Sequence, residues 1–469
     1  MSQLLTQPTV AIAGGGLAGL AAACALADSG FRVTLFERRP YLGGRASSYE
    51  HPGTGEVVDN CQHVLFRVCT NLVEFYRRIG VEDKIRWYED MTFIEPGGRS
   101  SVMHASPLPA PLHTAPSFLG FPFLTGKDKL AISRAIAALT LRKQADTGQS
   151  FQQWLLRHGQ TENAIQRFWK PILVSALSED LDLISISYAA QVVRESMKSP
   201  AARHMGVPSI PLTELYNRAG DYIRARGGDL RFRNSLETFS PKPGRVRICA
   251  GDGEADFDYL VLALPFDGLA RVLPQSTETA PLRERLSHFE SAPITGIHLW
   301  FDRQISDLDH AVLLDRTIQW MFHKSRLLEG RGTEAKAESN GSYIELVVSA
   351  SKNLIEKSRS EIVDLALKEV REFFPAARTA NLVKSTVIKE VHATYSPRPG
   401  IDAYRPQQAT VWPRVFLAGD WTATGWPATM EGAVRSGYLA AEALANVAEG
   451  KSHRFLAPDL PATGLMRIF

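Results

Sequence analysis

The sequence predicts an α/β fold in which a parallel sheet with covering helices is interrupted by two insertions that form a second domain. Three observations support this prediction: a glycine loop follows a buried strand pattern near residue 14, a second strand ends in an acid at residue 37, and a third strand ends in Gly-Asp near residue 419. The 469 residues, 44% of them hydrophobic, suffice for a large core divided among two or three structural units.

The N-terminal pattern is a strand, a helix and a second strand. Thr9–Ala13 is a short apolar run typical of buried parallel strands, and it leads directly into the loop Gly14–Gly19. The run Leu17–Ala27, rich in alanine and leucine, predicts a helix, and Arg32–Glu37 predicts the second strand. This order is typical of a unit that binds a dinucleotide.

Each glycine of the loop has a separate role in such a unit. Gly14 makes the tight turn, Gly16 lets the backbone approach a pyrophosphate, and Gly19 allows the helix to pack closely on the strand. Glu37 follows Gly19 by 18 residues, a spacing at which an acid accepts hydrogen bonds from a ribose hydroxyl. The predicted contacts of the loop and helix N-terminus are Gly14, Gly16, Leu17, Ala18 and Gly19.

A second glycine motif, Gly43-Gly44-Arg45, lies just beyond Glu37. The combination resembles the N-terminal signature of the flavin amine oxidase and carotenoid desaturase superfamily. The resemblance implies a Rossmann-like FAD-binding domain of the flavin amine oxidase type, with Gly43, Gly44 and Arg45 against the flavin diphosphate and Arg38 among the cofactor residues. FAD is expected to bind non-covalently, because the family's cysteinyl-flavin position near the C-terminus has no cysteine here.

Two later segments extend the resemblance. A helix pattern over Leu215–Arg226 and a strand precede Leu236, whose backbone the resemblance places at the adenine; an ordinary hairpin is the alternative. The strand pattern Val415–Ala418 ends at Gly419-Asp420, and a helix is predicted to open near Thr429 with its positive end toward the flavin. The cofactor residues expected here are Gly419, Asp420, Thr429 and Met430.

The order of these segments predicts two interleaved domains. The FAD-binding domain comprises 1–85, 208–290 and 390–447, the substrate domain 86–207 and 291–389, and a C-terminal tail 448–469. The insertions carry helix patterns at Lys127–Lys143, Phe151–Arg157 and Ser360–Phe373, strand patterns at Ile294–Phe301 and Tyr343–Ala350, and a polar loop at Arg331–Asn340. The substrate domain is therefore expected to be a mixed sheet with helices.

Several classes of function have no support in the composition. The 53 basic and 50 acidic residues leave a net charge of +3, too small to indicate a nucleic-acid partner. The four cysteines form no CxxC pair and no metal-ligand spacing is present, so a reducing cytoplasm and no metal are expected. We also find no signal peptide or membrane span. No second GxGxxG loop exists, which predicts an external electron donor.

Three stretches point to one subgroup. The residues 58–65 (VDNCQHVL), 167–177 (RFWKPILVSAL) and 419–437 (GDWTATGWPATMEGAVRSG) resemble the squalene-associated branch, which is similar to plant-type phytoene desaturases and contains the bacterial hydroxysqualene dehydroxylases of hopanoid precursor biosynthesis. The resemblance implies reduction of hydroxysqualene to squalene with loss of water. It departs at Cys61, where a glycine is usual. A carotenoid-type desaturase, an amine oxidase and a flavoprotein without turnover are the alternatives.

Loss of a hydroxyl group requires a general acid. His63 is the first candidate, because imidazolium is available near neutral pH. Asp59 is the second, either as the partner that orients His63 or as the acid itself. Trp426 and Tyr395 are the expected pocket aromatics, whose faces stabilise a cation. The alternatives are a core histidine, a turn-capping aspartate and ordinary core packing.

An isoprenoid lipid substrate would be met at a membrane. The run Phe118–Leu124, followed by Lys127 and Lys129, is suited to shallow insertion beside anionic lipid. A buried lid over the substrate tunnel is the alternative. The expected location is the cytoplasm or the inner face of the cytoplasmic membrane.

Overall fold

A parallel five-stranded sheet, here called the dinucleotide sheet, carries the N-terminal glycine loop. The computed structural model describes residues 7–141, 144–328 and 341–468, so the loop predicted at Arg331–Asn340 lies outside the described residues. In spatial order the strands are Asp229–Phe232, Arg32–Glu37, Thr9–Ala13, Tyr259–Leu262 and Val415–Leu417. All four pairings are parallel. The predicted strand–helix–strand unit is confirmed, because the helix Leu17–Asp28 joins the two central strands.

Close helix packing covers this sheet. The first helix, Leu17–Asp28, is buried along almost its whole length, and the last helix, Met430–Glu449, packs against it. A Cβ atom at Gly437 would lie 2.2 Å from the carbonyl oxygen of Ala18, so only glycine permits this approach of the two helices. The last helix is thereby held over the phosphate-binding loop.

A seven-stranded mixed sheet, here called the cavity sheet, forms the second layer. In spatial order its strands are Leu382–Tyr395, Ser291–Phe301, Ser342–Ser349, Trp320–Phe322, His310–Leu313, Met91–Ile94 and Ser100–Met103. One pair, His310–Leu313 with Met91–Ile94, is parallel and the other pairs are antiparallel. The predicted mixed sheet with helices is therefore confirmed. The strand Leu382–Tyr395 continues past residue 389, where the sequence suggested a domain boundary.

Shorter elements connect the two layers. The remaining strands are Ser48–Glu50, Val57–Asp59, Leu65–Phe66, Ile85–Tyr88, Met205–Pro208, Leu236–Lys242, Arg245–Ala250 and Gly253–Phe257. The remaining α-helices are Thr70–Arg78, Ala115–Leu119, Gly126–Leu141, Phe151–Arg157, Glu162–Ala164, Lys170–Leu177, Ile186–Met197, Leu212–Arg224, Phe266–Val272, Ala280–Ser287, Lys324–Leu327, Lys352–Ile355 and Arg359–Phe373. Within the described ranges, no helix is long and apolar enough to cross a bilayer.

The rings of the run Phe118–Leu124 face inward, as in the buried alternative, so the expectation that they face solvent is wrong, although Leu119 is 60% exposed. Phe118, Phe121 and Phe123 are all buried, with 8%, 1% and 4% of their surface exposed. Phe121 stacks on Phe123, and Phe118 packs edge-to-face on Phe168. Packing inside the second domain removes more apolar surface from water than an isolated loop could, and the sequence does not reveal these partners.

The C-terminal tail folds back on the molecule. Phe455 and Leu456 pack against the core of the dinucleotide sheet, and Met466 is buried. The backbone N–H groups of Thr463 and Leu465 donate to the carbonyls of Lys198 and Ala110. The tail therefore connects the last helix with the helical insertion.

Candidate active site

One continuous cavity of about 1510 Å³ lies between the dinucleotide sheet and the cavity sheet. This volume exceeds the roughly 300–1,000 Å³ of a pocket for a single small ligand. It therefore has room for a dinucleotide and a second molecule. The predicted cofactor residues that line it are Gly14, Gly16, Leu17, Ala18, Glu37, Arg38, Gly43, Gly44, Arg45, Leu236, Gly419, Asp420, Thr429 and Met430.

Close backbone contacts build the phosphate cradle. Gly14 has a φ of +110°, and a Cβ atom on Gly19 would lie 1.9 Å from the Gly14 carbonyl oxygen. Gly19 does not line the cavity, because its role is to let the first helix pack against the turn. A Cβ atom on Gly44 would lie 2.9 Å from the Cα of Gly16. The two glycine loops thus touch, and this bare backbone surface at a helix N-terminus fits a diphosphate.

Glu37 holds the loop and faces the cavity. Its two carboxylate oxygens accept backbone N–H groups from Gly15 at 2.7 Å and Arg39 at 2.8 Å. Each oxygen keeps a further lone pair for a ribose hydroxyl. Arg39, which sequence reasoning missed, donates to the Gly44 carbonyl at 2.8 Å and so ties the two glycine loops together. The sequence held one signal for Arg39, namely its position two residues after the predicted acid Glu37.

An ion pair at the flavin site joins a segment from the N-terminal part of the chain to one from the C-terminal part. Arg45 donates to Asp420 at 2.6 Å and to the Ala393 carbonyl at 2.9 Å. Asp420 is almost fully buried, while the Arg45 side chain is about one-third exposed, with 35% of its surface accessible. The sequence identified both residues, but not that they pair.

The loop after the strand Val415–Leu417 is organised by a buried arginine. Arg405 donates to the backbone carbonyls of Asp420, Thr422 and Trp426. No motif surrounds Arg405 in the sequence, so sequence reasoning missed it. At the end of this loop the Thr429 hydroxyl accepts the Gly432 N–H, and the last helix begins at Met430 as expected.

His63 lines the cavity as a neutral ring with Nε2 as its acceptor nitrogen. Its Nδ1 donates to the Cys61 carbonyl at 2.8 Å, which leaves Nε2 as the acceptor of a neutral ring. Burial lowers the pKa of His63, although the Cys61 carbonyl and Asp59 oppose this shift. Neutral imidazole is therefore favoured, and service as a general acid would require prior protonation against the burial cost.

Asp59 does not line the cavity and is not hydrogen-bonded to His63, in contrast to the expected orienting role. Instead, the fully buried Lys324 donates to Asp59 at 2.6 Å and to the Gln62 side chain at 2.8 Å. Glu345 lies 3.4 Å from the same ammonium group. This buried ionic cluster lies behind the cavity wall and fixes the segment whose residues Asn60, Cys61 and Gln62 line the cavity. Lys324 escaped sequence reasoning because it lies far from any motif.

The two expected pocket aromatics have different positions. Trp426 lines the cavity, and the Arg435 guanidinium lies 4.8 Å from its ring centroid. Tyr395 does not line the cavity; it is buried behind it, where its hydroxyl lies 3.0 Å from that of Tyr188. Its packing against Phe289 and Arg405 explains this location. Tyr395 as a substrate contact is therefore wrong.

The part of the cavity beyond the glycine loops is apolar. The cavity sheet contributes Val312, Trp320, Phe322 and Val347, and the helical insertion contributes Phe118, Phe168 and Ile172. A lining of this kind suits a long hydrocarbon chain. The site thus combines a dinucleotide cradle with an apolar tunnel.

Together the fold and the cradle define a flavin-dependent oxidoreductase of the class that inserts a substrate domain into a dinucleotide-binding domain. The chain belongs to the flavin containing amine oxidoreductase family, which it matches over residues 17–445. The cofactor is FAD.

Similar proteins include carotenoid desaturases. The chain is 28% identical over 461 residues to a 15-cis-phytoene desaturase of Synechococcus elongatus, covering 93% of this chain and 95% of the relative. It is 27% identical to a zeta-carotene desaturase of Synechocystis, covering 93% and 96%. A putrescine oxidase structure superposes with a TM-score of 0.71 at 17% identity, covering 94% and 98%, and supports the fold alone.

We predict that Arg45→Gln weakens FAD binding by about tenfold, because a hydrogen bond to a charged group contributes about 1.5–3 kcal/mol and Asp420 stays buried without its partner. Titration of the apoprotein with FAD, followed by flavin fluorescence, measures this change. Arg247→Gln, which breaks an exposed pair with Asp256 outside the cavity, is the control. Equal affinities of the two variants would contradict the role of Arg45.

A second prediction concerns the ionic cluster. Burial raises the pKa of Glu345 from 4.5 to about 7, against the opposing effect of Lys324. Because the folded-state pKa is the higher one, the stability contributed by the protonated carboxyl is complete below pH 4.5 and is lost as the pH rises through about 7. Glu345→Gln should remove this loss. Urea unfolding across that pH range measures it, and parallel stability curves for wild type and variant would contradict the assignment.

Proposed function

We propose that this protein transfers hydride between FAD and a long, linear isoprenoid. The observation that supports this most directly is the continuity of the glycine-lined cradle with the apolar tunnel in a single cavity. When bound, FAD supplies or accepts the hydride. The protein provides the cradle, excludes water with apolar walls, and offers His63 as a group that exchanges a proton.

Desaturation is the direction that the comparisons favour, because the relatives are named phytoene and zeta-carotene desaturases. In this reaction one carbon loses a hydride to the cofactor and its neighbour loses a proton, and a double bond forms between them. The neutral His63 ring, with Nε2 free of the Cys61 contact, suits acceptance of that proton. Reduced cofactor would then pass its electrons to an external partner.

Reduction of hydroxysqualene to squalene is the second candidate. The segments 58–65 and 419–437 favour it through their resemblance to the squalene-associated branch. Here the carbon that gains hydride loses its hydroxyl as water, so a proton must reach the leaving oxygen. His63 would have to bind this proton before reaction. An external electron donor, as the sequence predicts, would reduce the cofactor.

Anaerobic spectroscopy of the purified flavoprotein separates the two directions. We expect that the oxidised protein is bleached by phytoene or squalene if desaturation is correct, and that the photoreduced protein is reoxidised by hydroxysqualene, with squalene formed, if dehydroxylation is correct. His63→Gln should slow the active reaction by roughly 10²-fold or more while the flavin spectrum is retained. No spectral response to any of these isoprenoids would refute the proposal.

Peripheral membrane contact is proposed at the cavity mouth and not at the phenylalanine run. Leu112, Leu141 and Leu465 line the cavity and are 46%, 51% and 44% exposed. These side chains come from three separate segments, including the C-terminal tail. An apolar rim around a hydrocarbon tunnel suits entry of substrate directly from lipid.

Replacement of Leu112, Leu141 and Leu465 together by serine should reduce co-sedimentation with anionic liposomes several-fold, because each exposed leucine contributes apolar area at the interface. The control replaces Val383 and Val411, which are 60% and 66% exposed but do not line the cavity. Equal loss of binding in the control, or full binding by the triple variant, would argue against a lipid-facing mouth.

A further inference from the structure

One basic side chain stands out on the wall of the apolar tunnel. Arg203 ends the short 3-10 turn Pro200–Arg203, directly before the strand Met205–Pro208. Its side chain turns inward, lines the cavity and leaves only 9% of the residue exposed. The preceding residue, Ala202, packs in a small cluster with Val68 and Trp426. Arg203 therefore belongs to the same wall as the aromatic residue of the flavin loop.

The guanidinium of Arg203 is held by neutral groups. One terminal nitrogen donates to the Glu89 carbonyl at 3.1 Å and the other to the Met103 carbonyl at 3.0 Å. Among the residues described, no carboxylate forms an ion pair with it. Two of its N–H groups are used, and a guanidinium has further donors in the same plane. The two backbone contacts thus orient the group without neutralising it.

A buried arginine without a carboxylate partner is unusual, because removing the charge from water is costly. Burial lowers the pKa of Arg203, while Asp90 and Glu89 oppose this shift from a distance. The side chains of nearby cavity residues such as Met91 and Met103 cannot accept strong hydrogen bonds. A pure hydrocarbon in the tunnel would leave the remaining N–H groups unsatisfied.

We propose that Arg203 binds an oxygen atom carried by the isoprenoid, either a hydroxyl or a diphosphate group. This inference rests on the proposed function and, within it, favours the candidate whose substrate carries oxygen over desaturation of a pure hydrocarbon. Arginine suits the task, because its planar donors hold an oxygen acceptor at a defined angle while the methylene stem remains in the apolar wall. Arg203 is then a specificity-determining residue.

Binding measurements on the intact flavoprotein test this proposal. Squalene, hydroxysqualene, farnesol and farnesyl diphosphate are titrated into the oxidised protein, and the flavin absorbance change gives each Kd. We expect wild type to bind hydroxysqualene at least about tenfold more tightly than squalene, as a charged hydrogen bond in an apolar site predicts. Preference for the diphosphate over farnesol would assign the oxygen to an anionic group, and the reverse would assign it to a hydroxyl.

Variants separate recognition from folding. Arg203→Met should bring the Kd ratio of squalene to hydroxysqualene close to one, and Arg203→Lys should keep part of it. Arg283→Met is the matched control, because Arg283 also donates to backbone carbonyls, those of Ala270 and Leu273, but does not line the cavity. A merely structural role would weaken both ligands equally and leave the ratio unchanged.

The outcomes distinguish the two proposals. Equal binding of squalene and hydroxysqualene by wild type, or an unchanged ratio in a folded Arg203 variant, would overturn the role of Arg203 while isoprenoid binding stands. If Arg203→Met does not fold, the wild-type ratio and Arg203→Lys decide the question. A lack of response to every isoprenoid would refute the proposed function itself.

Discussion

The contact between the two glycine loops is the constraint on which the rest of the site depends. Gly44 approaches Gly16 so closely that a Cβ atom on Gly44 would lie 2.9 Å from the Gly16 Cα, so the second loop tolerates no side chain there. Glu37 and Arg39 hydrogen-bond to these loops and so hold the two loops together. The pair of Arg45 with Asp420 then fixes the loop that precedes the last helix beside the cradle. A domain assembled from distant segments is thereby made into one binding surface.

Charge is distributed unevenly around the tunnel, and this distribution limits the possible chemistry. Lys324, Asp59 and Glu345 are close together behind the wall, where the hydrogen bonds of Lys324 to Asp59 and Gln62 stabilise the segment that carries His63. Within the wall, His63 favours its neutral form because burial disfavours imidazolium. Arg203 is the contrasting case, a cation oriented by carbonyls alone. An apolar tunnel with a buried cation in its wall favours a substrate that is mostly hydrocarbon but not entirely so.

The same scaffold can support either redox direction, because the hydride chemistry belongs to the cofactor and the protein supplies orientation and proton exchange. The relatives are named as desaturases, and the sequence resembles the squalene-associated branch. Both observations therefore fit one architecture that works in one of two redox directions. What differs is the group that leaves the substrate and the protonation state that this demands of His63. The proposed leucine mouth would serve either direction, because both candidate substrates are lipids.

The sequence by itself determined the elements whose causes are local. The loop Gly14–Gly19, the acid at Glu37 and the helix start at Thr429 were predictable, because turn geometry, strand length and capping depend on neighbouring residues. Tertiary structure alone decided which apolar and charged side chains face the cavity. The rings of Phe118–Phe123 and of Tyr395 are buried by partners more than 25 residues away, roughly the reach of one supersecondary unit. Lys324 acts through a contact 265 residues away and Arg405 through contacts 15 to 21 residues away, and no local pattern encodes either residue.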